Sequence, residues 1–99
     1  MDYKKYFTNL LSYYRVHIQM NDQPYSEEIL KQIEKYEHML QNGEASKLNL
    51  ISNKYFWLPA LYAYKKQLKN NIMDDSLSEE DSFHITNELI LRISKTNES

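Results

Sequence analysis

A chain of 99 residues with 41% hydrophobic and 26% charged side chains has the composition of one ordinary folded domain, so disorder is excluded for most of its length. A single glycine, Gly43, excludes the glycine-dependent turns and phosphate cradles of β-rich and nucleotide-binding folds, and the lack of cysteine excludes disulfides, thiolate zinc sites and thiol nucleophiles. The formal net charge of −2 gives no general attraction to a phosphate backbone, which disfavours nucleic acid as a partner.

The first segment places Tyr3, Phe7, Leu10, Leu11, Tyr14 and Ile18 at steps of three and four, with Asp2 positioned to cap the start. This spacing predicts a helix over about residues 3–20, its apolar stripe widened by Tyr6, Tyr13, Val16 and Met20. Asn21-Asp22-Gln23-Pro24 should stop it, because a residue preceding proline is pushed out of the helical region. A second helix is predicted over about 27–42. Ser26 can cap it, Glu27 and Glu28 suit its positive end, Gly43 supplies a left-handed C-terminal cap, and Ile29, Ile33, Tyr36 and Leu40 form its core stripe.

The third segment, about residues 47–70, places Leu48, Ile51, Tyr55, Leu58 and Tyr62 on one helical stripe with Pro59 in its middle. An interior proline costs about 3 kcal/mol, so the helix is expected to be kinked or broken at Pro59, one option being a short helix before it and a second after it. Lys65, Lys66 and Lys69 complement a helix C-terminus. The last helix, about 79–94, opens on Ser78-Glu79-Glu80-Asp81, which resembles a capping box, and continues through Phe83, Thr86, Leu89, Ile90 and Ile93. No sustained alternation of apolar and polar residues predicts a strand. The expected fold is therefore all-α, a small antiparallel four-helix bundle forming a single domain over residues 1–99. Lys5-Tyr6-Phe7 with Tyr13 recurs as Lys54-Tyr55-Phe56 with Tyr62, and Ser26-Glu27-Glu28 recurs as Ser78-Glu79-Glu80, a pattern that a duplicated helical hairpin would leave.

Chemistry finds little support. His17, His38 and His84 fall on three different predicted helices without a ligand partner at metal-binding spacing, and one glycine cannot build a serine nucleophile elbow. Neither a catalytic residue, a metal nor a cofactor is expected. The acidic run Asp74, Asp75, Glu79, Glu80 and Asp81 lacks the order of a calcium loop and reads as a solvated loop entering a helix N-terminus, or as a docking surface for a basic partner. The stretch from Lys54 to Lys66 holds more apolar faces than one buried stripe needs. It is either a helix packed on several sides or a partner-binding surface, with Trp57, Tyr64 or their neighbours exposed as aromatic anchors of a protein interface or a membrane-surface contact, and with Lys65 or Lys66 flanking Trp57 or Tyr64. With no export signal and no apolar run approaching the roughly 20 residues of a membrane span, the expected location is cytoplasmic.

A Leu- and Tyr-rich helix from Leu50 to Leu68, a Leu-Ser-Glu-Glu start at Leu77 and a final helix ending Leu89-Ile90-Leu91 resemble the C-terminal half of the immunity proteins that protect producers of pediocin-like (class IIa) bacteriocins. The resemblance extends to the chain length and to the order of four helices. It implies a cytosolic four-helix bundle that acts without catalysis, preventing a bacteriocin from locking open its membrane sugar-transporter receptor. A second reading asks for the same features: a phage- or mobile-element-encoded inhibitor or regulator that covers the surface of a host protein.

Overall fold

Helical periodicity shapes all four long elements of the described chain. The structure is a computed structural model that describes residues 3–21, 24–72 and 77–96, with the side chains at 71–72, 77–80 and 96 left aside. It contains α1 (Tyr3–Met20), α2 (Ser26–Gln41), a short 3-10 turn (Ala45–Lys47), α3 (Lys54–Ile72) and α4 (Leu77–Thr96). Among the described residues there is no strand, and the fold class is all-α. The chain divides into two units, Met1–Asn49, in which α1 pairs with α2, and Leu50–Ser99, in which α3 pairs with α4.

In the first unit α1 buries Tyr6, Phe7, Leu10, Leu11, Tyr14 and Ile18, and α2 buries Ile33, Tyr36 and Leu40. Tyr3, Val16 and Met20 are exposed, so the buried stripe is narrower than the apolar spacing suggests. Arg15 of α1 forms an ion pair with Glu37 of α2, and its partial exposure limits its value to about 1 kcal/mol or less. Asn21 closes α1 by donating from both its backbone N–H (3.1 Å) and its side-chain amide (2.8 Å) to the His17 carbonyl. The expected cap Asp2 lies outside the described residues.

The two ends of α2 are closed differently: no side chain caps its start, and a left-handed glycine caps its end. Ser26 is the first residue of α2 and Tyr25 stands at the cap position, without a side-chain capping bond. At the other end Gly43 adopts φ +76°, its N–H donates to the Leu40 carbonyl at 3.2 Å, and the Glu44 N–H donates to the Met39 carbonyl at 2.8 Å. These two bonds are the paired contacts of a Schellman cap.

The second unit departs more from the sequence reading. Residues 48–53 are not helical, and α3 starts only at Lys54, where the Asn53 carbonyl accepts from Phe56 (2.9 Å) and Trp57 (3.0 Å). From there α3 runs through Pro59 without interruption to Ile72, so of the kink or break expected at Pro59 the break does not occur. Pro59 is the sixth residue of α3, where the only intrahelical bond its ring removes is the one to the Tyr55 carbonyl, on the solvent side of the helix. The buried residues of α3 are Phe56, Trp57, Ala60, Leu61, Tyr64 and Leu68, and those of α4 are Thr86, Leu89, Ile90 and Ile93. The Thr86 hydroxyl donates to the Ser82 carbonyl at 2.7 Å, which satisfies a polar group in an apolar stripe. α4 begins at Leu77, which places Ser78 inside the helix rather than at its cap.

The two units repeat one packing pattern. Each buried residue of α1 recurs as a buried residue of α3 fifty positions later, Tyr6 as Phe56 through to Ile18 as Leu68. Ile33, Tyr36 and Leu40 recur fifty-three positions later as Thr86, Leu89 and Ile93. An edge-to-face aromatic pair opens each set, Tyr6–Phe7 at 5.2 Å and Phe56–Trp57 at 5.0 Å. The Lys-Tyr-Phe triplets noticed in the sequence are one residue out of this register, for Tyr6 is buried and Tyr55 is not.

Candidate functional surface on the third helix

Because α3 is continuous, its residues fall on two fixed faces. Trp57, Ala60, Leu61, Tyr64 and Leu68 follow steps of three and four and turn inward. Tyr55, Pro59, Tyr62, Lys66 and Lys69 follow the same steps on the outward face and are exposed. The expectation of exposed anchors at Trp57 and Tyr64 therefore fails: their relative exposures are 0% and 7%. Of the stripe read through Tyr55, Leu58 and Tyr62, Leu58 is half-buried, and Tyr55 and Tyr62 point outward at 86% and 53% exposure. A break at Pro59 would have freed the two halves of the helix from a common phase; the uninterrupted helix keeps them on one set of faces.

The two flanking lysines separate. Lys65 is half-buried, with its ammonium 6.0 Å from the centre of the Phe83 ring on α4, so it braces the hairpin. Lys66 lies on the exposed stripe, four residues after Tyr62 and three before Lys69. At the start of the helix the Lys54 ammonium lies 5.5 Å from the Tyr55 ring centre. From Tyr55 to Lys69 the stripe is about 21 Å long at 1.5 Å per residue.

Electrostatics single out the same helix. Residues 45–73 contain five lysines (Lys47, Lys54, Lys65, Lys66 and Lys69) of the chain's 12 Lys and Arg, and none of its 14 Asp and Glu. This run is thus +5 in a chain of net −2, and the remainder is −7. The corresponding outward positions of α1, fifty residues earlier, are Lys5, Asn9, Ser12, Val16 and Gln19. One packing pattern therefore carries a mostly polar outward face on α1 and a tyrosine–lysine face on α3.

Tyr55 and Tyr62 are the residues that sequence reasoning missed, and a signal for them existed. Of the two apolar stripes between residues 55 and 68, the one with Trp57, Leu61, Tyr64 and Leu68 is the bulkier and has the stronger claim to the core. The absence of any acid over 45–73 is likewise legible without a structure.

No chemistry converges elsewhere. His17 stacks on Tyr13 and Tyr14 at centroid distances of 5.9 and 6.1 Å, and His84 meets the Phe83 ring edge-on at 6.4 Å. Among the described residues no three His, Asp or Glu side chains group to hold a metal ion, and no helix is long and apolar enough to cross a membrane. Of the acidic run, Asp81 is exposed, while Asp74, Asp75 and the side chains of Glu79 and Glu80 lie outside the described residues. No protein-family model, curated protein or solved structure matches the chain.

Proposed function

We propose that this chain is a non-catalytic binding protein that engages a protein partner through the outward face of α3. The observation that supports this most directly is the exposure of Tyr55 and Tyr62 on a helix whose inward face already carries its share of the core. Exposed tyrosine offers a large, stiff contact area at low entropic cost, and aromatic residues are enriched among interface hot spots. Hairpin packing does not call for them, because Lys5 and Ser12 occupy the matching positions of α1. Two partners fit this reading: a membrane transporter held by a bacteriocin, as the immunity-protein resemblance implies, or a host protein covered by a phage-type inhibitor. The identity of the cross-linked protein decides between them.

The test places a photo-reactive phenylalanine analogue at position 62 and, as a control, at position 12. In cells of the source organism a discrete cross-linked protein is expected from position 62 alone. Equal products from both positions, or none from position 62, would count against the proposal.

A further inference from the structure

Resting on that reading of the α3 face, the geometry points to a more specific occupant: we infer that the partner presents an acidic segment, in a helix or extended strand, that lies along the stripe from Tyr55 to Lys69. The charge distribution carries the argument. Lys66 and Lys69 stand on the same exposed stripe as the two tyrosines, and α3 contains no acidic residue. A segment laid along about 21 Å of helix meets aromatic surface at one end and two ammonium groups at the other. Carboxylates near Lys66 and Lys69 give complementary charge, which speeds encounter and fixes the direction in which the segment lies.

Three other occupants fit less well. A second copy of this chain docking through the same stripe would offer Lys66 and Lys69 no carboxylate, because residues 45–73 hold no Asp or Glu, and paired side by side in the same direction it would set the lysines against their own counterparts. A nucleic-acid duplex or an anionic bilayer presents negative charge over an area wider than one helix face. It calls for cations over that whole area, and a chain of net −2 offers no general excess of them. A narrow acidic protein segment matches both the length and the local sign of the stripe.

The experiment is an NMR titration of the full chain with four probes. These are a synthetic helical peptide with Glu at every third or fourth position among Ala and Leu, the same peptide with Lys for Glu, a 16-base-pair DNA duplex, and vesicles of mixed phosphatidylglycerol and phosphatidylcholine. The acidic peptide is expected to shift amides between residues 55 and 69. Its affinity should fall at least about tenfold in the double variant K66E/K69E, and fall again as salt is raised. Tyr62→Ala should weaken it as well, with an unchanged helical spectrum showing that the variant is folded. If the Lys peptide shifts the same amides as strongly, or K66E/K69E binds the acidic peptide as well as the parent, the α3 face survives as a binding surface but the acidic partner does not. Occupation of the face by duplex or vesicles in preference to the acidic peptide overturns the inference in the same way. If no probe perturbs residues 55–69, the reading of α3 as the binding face falls too.

Discussion

Removing the Trp57 side chain tests the inward face of α3 most directly. The indole is covered completely, at 0% exposure, and meets Phe56 edge-on at 5.0 Å. Truncating a buried Trp to Ala costs about 3–5 kcal/mol, which is a large part of the roughly 5–15 kcal/mol that holds a domain together. At about 4–8 °C per kcal/mol for a chain of this size, the melting temperature of Trp57→Ala should fall by about 12 °C or more. Tyr55→Ala, two residues away at 86% exposure, should change stability by no more than about 0.5 kcal/mol. Melts followed by far-UV circular dichroism compare the two. Trp57 is the only tryptophan, so the emission of the parent protein reports on this site alone, starting at short wavelength and moving to long wavelength on unfolding. A Trp57→Ala melt within about 4 °C of the parent, or parent emission already at the water-exposed wavelength, would refute the inward assignment.

Three further outcomes follow from single residues. At Gly43 a Cβ would meet nothing within 4 Å, so Gly43→Ala is penalised only by its backbone at φ +76°; chemical denaturation should show a loss of about 1–2 kcal/mol, and a smaller one for Gly43→Asn. Pro59→Ala restores an N–H for the Tyr55 carbonyl on an exposed face and should raise stability by about 1–2 kcal/mol after the gain in unfolded-chain entropy is subtracted, whereas a lower melting temperature would reveal a packing role for the ring. Burial pushes the Tyr14 phenol above its ordinary value, so the folded state keeps that proton longer than the unfolded chain does. The associated stability is intact below about pH 10 and declines as pH rises from there toward the raised folded value. Denaturation midpoints between about pH 9 and 11 should accordingly fall less steeply for Tyr14→Phe than for the parent.

Much of the fold was legible from spacing. Leu10, Leu11, Tyr14, Ile18, Ile33, Tyr36, Leu40, Thr86, Leu89, Ile90 and Ile93 are all buried where helical periodicity put them, and Gly43 is left-handed where a C-terminal cap was expected. The third segment was misread in phase. It carries apolar residues on two stripes, and only the greater bulk of the one with Trp57, Leu61, Tyr64 and Leu68 distinguishes the inward stripe, a distinction that a break at Pro59 would blur. Only a continuous helix from Lys54 makes Trp57 and Tyr64 inward and Tyr55 and Tyr62 outward. The repeat was visible only in blurred form, because short Lys-Tyr-Phe matches are set by residue identity, whereas the true register is set by burial and tolerates Phe for Tyr and Trp for Phe.

That tolerance shows how each hairpin keeps its volume. One turn apart on α1 sit Phe7 and Leu10, and at the same two positions of α3 sit Trp57 and Ala60, all four at 7% exposure or less. The second hairpin enlarges one side chain and shrinks its neighbour. Placing Trp at position 7 alone would overfill the first hairpin, and placing Ala at position 10 alone would hollow it, yet the two changes together conserve the pair's bulk more nearly. Exchanging the pair between hairpins should therefore cost less than the two single changes added together, a coupling that a double-mutant cycle reads directly. A positive coupling would make each hairpin a separate solution to one volume constraint, its inward residues interchangeable in sets rather than singly.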